Sequence, residues 1–189
     1  NPITDFESNK ARALLTYLVA ESDRPHRRDE LSYLFWTDYP EAQAMKNLRQ
    51  ALYRLRRTLS GGLEEAENIL VVTPQDIRLD PDWDCESDLK NFRLLLVEVE
   101  QHNHRRIESC PICIQKLEQA IELYRGDLLT GLSLRGSPAF EDWLQAQREQ
   151  LRDQALRALR SLAGAAKRRG QYETACRYAR RQIELLPTH

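Results

Sequence analysis

The chain has 189 residues, enough for one large domain or two small ones, and it is 41% hydrophobic and 30% charged with a formal net charge of -1. That is the composition of an ordinary helix-rich folded chain, not of a disordered or uniformly basic one. No apolar run reaches the roughly 18 residues of a membrane-crossing helix and no leader pattern opens the sequence, so a cytoplasmic location is expected. Because the chain begins at Asn1 and its only methionine is Met45, a fragment of a longer protein is expected.

In chain order, Lys10–Glu21 places Ala11, Leu14, Leu15, Leu18 and Val19 at helical spacing, and Pro25 lies beyond its end as a breaker. Arg28–Trp36 predicts a second short helix with Leu31, Leu34 and Phe35 inward. Thr37–Pro40 make a turn, and a third helix runs from about Glu41 to Leu59 before Gly61-Gly62. The run ILVV-TPQD-IRL, residues 69–79, reads as two short strands around a polar turn containing proline, a β-hairpin. Pro81 and a group of acids follow, and a domain boundary is expected near 82/83.

Beyond it the pattern is helical: Ser87 to about Gln101, Ile114–Tyr124, a long helix from Pro138 to near Gly170, and Gln171–Leu186. The segments 102–113 and 126–137 read as loops. Trp36, Trp83 and Trp143 sit in or beside apolar stripes and read as packing residues.

Charge is strongly segregated. Residues 42–60 hold Lys46, Arg49, Arg54, Arg56 and Arg57 and no acid, a net +5, whereas residues 61–100 hold eleven acids against Arg78, Lys90 and Arg93, a net -8. Such a block in a near-neutral chain points to one face for an anionic partner.

Three short helices and a hairpin make a winged helix-turn-helix, in which the third helix enters the DNA major groove. On the wheel, Leu48, Leu52, Leu55 and Leu59 share one side of that helix. Lys46, Gln50, Tyr53 and Arg57 lie opposite, flanked by Asn47 and Arg54 on one edge and by Arg49 and Arg56 on the other. Arginine can fork onto guanine or phosphate, asparagine and glutamine can pair with adenine, and tyrosine can reach a phosphate. The alternative is a merely solvated face, but such a face ordinarily mixes signs for i,i+4 pairing. Arg28, with Arg27 and His26, is expected near the phosphate backbone at the start of the second helix, and Arg78 on the wing; each is also readable as a plain surface residue.

The runs KARALLTYLVAE, RPHRRDELSYLFW and NLRQALYRLRRTL resemble the DNA-binding domain of the antibiotic regulatory protein (SARP/AfsR-like) transcriptional activators. AIELYRGDLLTGL and SPAFEDWLQAQREQL resemble the bacterial transcriptional activation domain that follows it in the same family. The resemblance implies a mainly α chain: a winged helix over 1–82 whose first strands are cut away, then a tetratricopeptide-like helical domain over 83–189 that is cut short. It also implies binding of double-stranded DNA at direct repeats, recruitment of RNA polymerase, and homodimer contacts or signal relay through the second half. From Leu159, the positions of Leu162-Ala163, Gly170, Tyr172, Ala175 and Pro187 fit one repeat unit. A helix pair needs stacked neighbours to bury its apolar face, so Ile183 and Leu186 are expected to be uncovered.

The loop HNHRRIESCPIC gathers His102, His104, Cys110 and Cys113. Two thiolates at CxxC spacing and two imidazoles suit a tetrahedral structural zinc; thiols at a helix start and a redox dithiol are the other readings. DNA binding itself is expected to need no cofactor. No GxxxxGK[ST], GxSxG or HExxH motif occurs, so an enzyme is not expected. The alternative to a DNA-binding regulator is a tetratricopeptide-like interaction scaffold with a basic docking helix.

Overall fold

A computed structural model describes Phe6, 8–60, 69–83, 87–103 and 106–186. The chain forms two compact units, Asn1–Cys85 with Gly131–Gln145, and Glu86–Thr130 with Ala146–His189.

The first unit contains α1 (Asn9–Ala20), β1 (His26–Arg27), α2 (Arg28–Trp36), α3 (Glu41–Ser60), β2 (Leu70–Val72) and β3 (Asp76–Leu79). Ser8 starts α1: its Oγ accepts from the Ala11 N–H at 3.1 Å, satisfying one of the end donors that a helix leaves open. The inward residues Ala11, Leu14, Leu15 and Leu18 are buried, as their spacing requires. The predicted hairpin is present, with Leu70 opposite Leu79 and Val72 opposite Ile77. Its turn is closed by Thr73, whose Oγ1 accepts from the Asp76 N–H at 2.8 Å.

A third strand was not expected. His26 pairs with Ile77 and Arg27 with Asp76, giving the antiparallel order β1-β3-β2. His26 is therefore a core residue, 1% exposed, with Nε2 at 2.8 Å from the Glu21 carbonyl and its ring edge-on to Tyr17. Its expected place beside a phosphate is corrected: strand pairing draws it inward.

The segment Gly131–Gln145, which includes the first turns of the helix at Pro138, packs with this unit. Phe140 is fully buried with its ring 4.9 Å from Phe35, and Ser137 Oγ donates to the Phe35 carbonyl at 2.6 Å. Trp143 lies 4.8 Å from Tyr17 and donates from Nε1 to Glu21 at 3.0 Å. Trp36 is buried, and Trp143 and Trp83 are half-buried.

The second unit contains α4 (Asp88–Gln101), a short 3-10 turn (Ile107–Ser109), α5 (Pro111–Leu123), the greater part of α6 (Pro138–Arg168), and α7 (Tyr172–Leu185). Ser87 caps α4, accepting from the Lys90 N–H. Pro111 opens α5, three residues ahead of the predicted start, because proline suits the first helical position, where its missing N–H has no partner to lose. Gly170, at φ +72°, ends the last turn of α6. The core is built from Phe92, Leu117, Ile121, Leu159 and Leu162. Arg181 of α7 donates to the carbonyls of Ile121 and Tyr124 at 2.9 and 2.7 Å, closing the C-terminal end of α5. Ile183 and Leu186 are 69% and 50% exposed, in line with the expected uncovered face. Pro187 lies outside the described residues. No helix among the described residues is long and apolar enough to cross a membrane.

Candidate nucleic-acid interface

Helix α3 divides cleanly. Ala44, Leu48, Ala51, Leu52 and Leu55 are buried, and Lys46, Arg49, Gln50, Tyr53, Arg54, Arg56 and Arg57 are exposed. Tyr53, at 68% exposure, offers ring and hydroxyl outward. Glu41 is the only acid of the helix, in its first turn. Beyond its first turn the helix itself thus carries only positive charge. Asn47 is half-buried and its Oδ1 accepts from Gln43 at 2.9 Å, which holds its side chain along the helix.

Two predicted residues are attached to the wing. Arg56 Nη2 donates to the Leu70 carbonyl at 3.3 Å. Arg28 donates from Nη1 to the Thr73 carbonyl at 3.1 Å and from its backbone N–H to the Gln75 carbonyl at 3.0 Å, so it clamps the hairpin turn. Arg78 is exposed on β3, opposite Val71.

The start of α2 is less open to phosphate than expected. Asp29 and Glu30 occupy its first turn, where a carboxylate meets the positive helix end. Arg27 is held by Asp29 in a bidentate pair at 2.9 and 3.1 Å. That hydrogen bond raises the Arg27 pKa and lowers that of Asp29. Tyr33 of α2, 65% exposed, is a further aromatic on this unit that sequence reasoning did not single out. Its signal is an aromatic at a position off the Leu31–Phe35 stripe.

Within the second unit a different cluster forms. His102 caps α4, Cys110 is the N-cap residue of α5 and Cys113 lies in the first turn of α5. His102 Nδ1 is 3.1 Å from Cys113 Sγ and 3.5 Å from Cys110 Sγ. The Cys113 backbone N–H bonds the Cys110 sulfur and pulls its pKa down, whereas burial pushes the Cys113 thiol up. His104 lies outside the described residues.

The family described as Bacterial transcriptional activator domain matches residues 87–189. A solved structure of Mycobacterium tuberculosis EmbR in complex with a low affinity phosphopeptide shares the fold, with a TM-score of 0.62 and 22% identity over 96% of this chain and 52% of that one. This chain thus spans about half the length of the EmbR chain. No curated protein matches.

Proposed function

The chain belongs to the bacterial transcriptional activator domain family, and from that membership we propose that it is a transcriptional activator whose first unit binds duplex DNA sequence-specifically. The observation that carries this reading is the exposed face of α3, cationic and free of acids beyond its first turn. Lys46, Gln50, Tyr53 and Arg57 at its centre meet base edges and adjacent phosphates. Arg49 and Arg54 grip the backbone from the flanks, and Arg28 and Arg56 hold the wing in place. Arg78 supplies a wing contact. No cofactor takes part in DNA binding, and no catalytic step belongs to this reading. RNA polymerase and a second copy of the chain are the protein partners.

Selection from a random duplex library, followed by anisotropy over a salt series, tests it. Enrichment of a defined site is expected, with log affinity falling linearly in log salt by about 0.9 per phosphate contacted. Enrichment of no site at moderate salt overturns it.

A second reading is supported by α7, which has no buried residue and exposes Tyr172 and Ile183, with Leu186 exposed just past its end. In it the chain is an interaction scaffold whose helical half docks a protein and whose basic helix docks an acidic partner. Retention of pooled duplexes in a gel shift separates the two, since a pure scaffold retains none.

A further inference from the structure

A thiol–imidazole cluster stands at the α4–α5 corner, within the second unit. His102, Cys110 and Cys113 each offer one ligand atom, and the three atoms lie within 4.8 Å of one another. They come from different local settings, the C-cap of α4, the residue before Pro111 and the first turn of α5, so their convergence depends on the packing of α4 against α5. Cys113 is fully buried, and His102 and Cys110 are half-buried.

We propose that His102 Nδ1, Cys110 Sγ and Cys113 Sγ bind a zinc ion that staples the C-terminal end of α4 to the N-terminal end of α5. In a tetrahedral site with Zn–S of about 2.3 Å and Zn–N of about 2.1 Å, nitrogen and sulfur stand roughly 3.6 Å apart. The observed 3.1 and 3.5 Å are within a small side-chain adjustment of that value. Two thiolates and an imidazole favour a thiophilic ion such as zinc over the oxygen-seeking calcium and magnesium. Binding displaces the two thiol protons to solvent and changes no oxidation state.

The test uses the full chain, purified reduced and without chelators. Bound zinc is measured by elemental analysis, and cobalt(II) is then titrated into the metal-free protein. One zinc per chain and a thiolate-to-cobalt charge-transfer band are expected. Both are lost in Cys110→Ser and in His102→Gln, and both persist in Cys176→Ser, which alters an exposed cysteine of α7. Cys110 and His102 are not fully buried, so these variants are chosen over Cys113→Ser, and circular dichroism checks that they fold. Absence of zinc and of the cobalt band overturns the proposal. So does full metal binding by Cys110→Ser, or a Cys110–Cys113 disulfide trapped by alkylation in cells, which would mark a redox dithiol. Each of these outcomes leaves the DNA-binding reading untouched.

Discussion

Arg56 on α3 donates from Nη2 to the carbonyl of Leu70 on β2 at 3.3 Å, so one arginine of the basic helix is spent on holding the wing. Its neighbour Arg57 lies at the centre of the exposed face. The two therefore separate by assay. Arg56→Ala is expected to cost about 1 kcal/mol of stability, the ordinary worth of one such bond, seen as a melting point lower by a few degrees. Arg57→Ala is expected to weaken site-specific DNA binding by about 1–3 kcal/mol. Thermal denaturation and anisotropy on both variants check this. Unaltered affinity in Arg57→Ala would remove that residue from the recognition face.

Local periodicity made α1, α2 and α3 legible, because each has an apolar stripe at a 3.6-residue period and a nearby turn or breaker. It also gave the exposed residues of α3. It could not tell which edge arginine the wing would take, since that depends on the register of β2 against the helix. Strand β1 is too short to carry a pattern and exists through its pairing with β3, so the burial of His26 is invisible until the sheet is formed. The packing of Phe140 on Phe35 is likewise non-local: the 131–145 stretch reads as turn followed by helix whichever core it joins. The thiol–imidazole cluster was legible in part. CxxC spacing brings two thiols together anywhere, but His102 reaches them because α4 ends where α5 begins.

That non-local packing has a measurable consequence. Phe140 is fully buried against Phe35 and Trp143, so Phe140→Ala is expected to cost about 3–5 kcal/mol. Ser137→Ala should cost far less, about 1 kcal/mol, because the Phe35 carbonyl also accepts from Lys10 Nζ at 2.6 Å. Urea unfolding followed by tryptophan fluorescence reports both. Equal, small losses would show that the Phe140 ring is not seated in the core.

Two glycines share a left-handed backbone but differ in their surroundings. Gly136 and Gly170 both have φ +72°, and a Cβ at Gly136 would stand 3.0 Å from Asp38 Oδ2, whereas a Cβ at Gly170 would meet nothing within 4 Å. Gly170→Ala therefore carries only the backbone cost, about 1 kcal/mol. Gly136→Ala should carry that cost and a steric one besides. Adding Asp38→Ala should return Gly136→Ala to about the Gly170→Ala level, and denaturant midpoints of the four proteins decide it. A double variant no better than Gly136→Ala alone would show that Asp38 does not crowd the site.

Tyrosine burial sets the alkaline limit. Burial raises the pKa of Tyr17, with Glu21 adding to it; burial and Asp127 raise Tyr124, and burial and Glu118 raise Tyr178. A hydroxyl whose folded value lies above the unfolded phenol value, about 10, contributes stability fully present below that value. The contribution is lost as pH climbs through the folded value, because the unfolded chain releases the proton first. Lys10 acts oppositely: burial lowers its pKa, with Asp38 working against that shift, so its deprotonation favours the folded chain as pH rises. Wild-type stability should therefore fall above about pH 10 less steeply than the tyrosines alone would dictate. Tyr17→Phe isolates one share, since the phenyl ring can keep the contacts with His26, Phe35 and Trp143. The variant is expected to lose less stability than wild type across the alkaline range, measured by urea midpoints beside a phenolate absorbance titration. Parallel curves for the two proteins would place the Tyr17 hydroxyl in solvent.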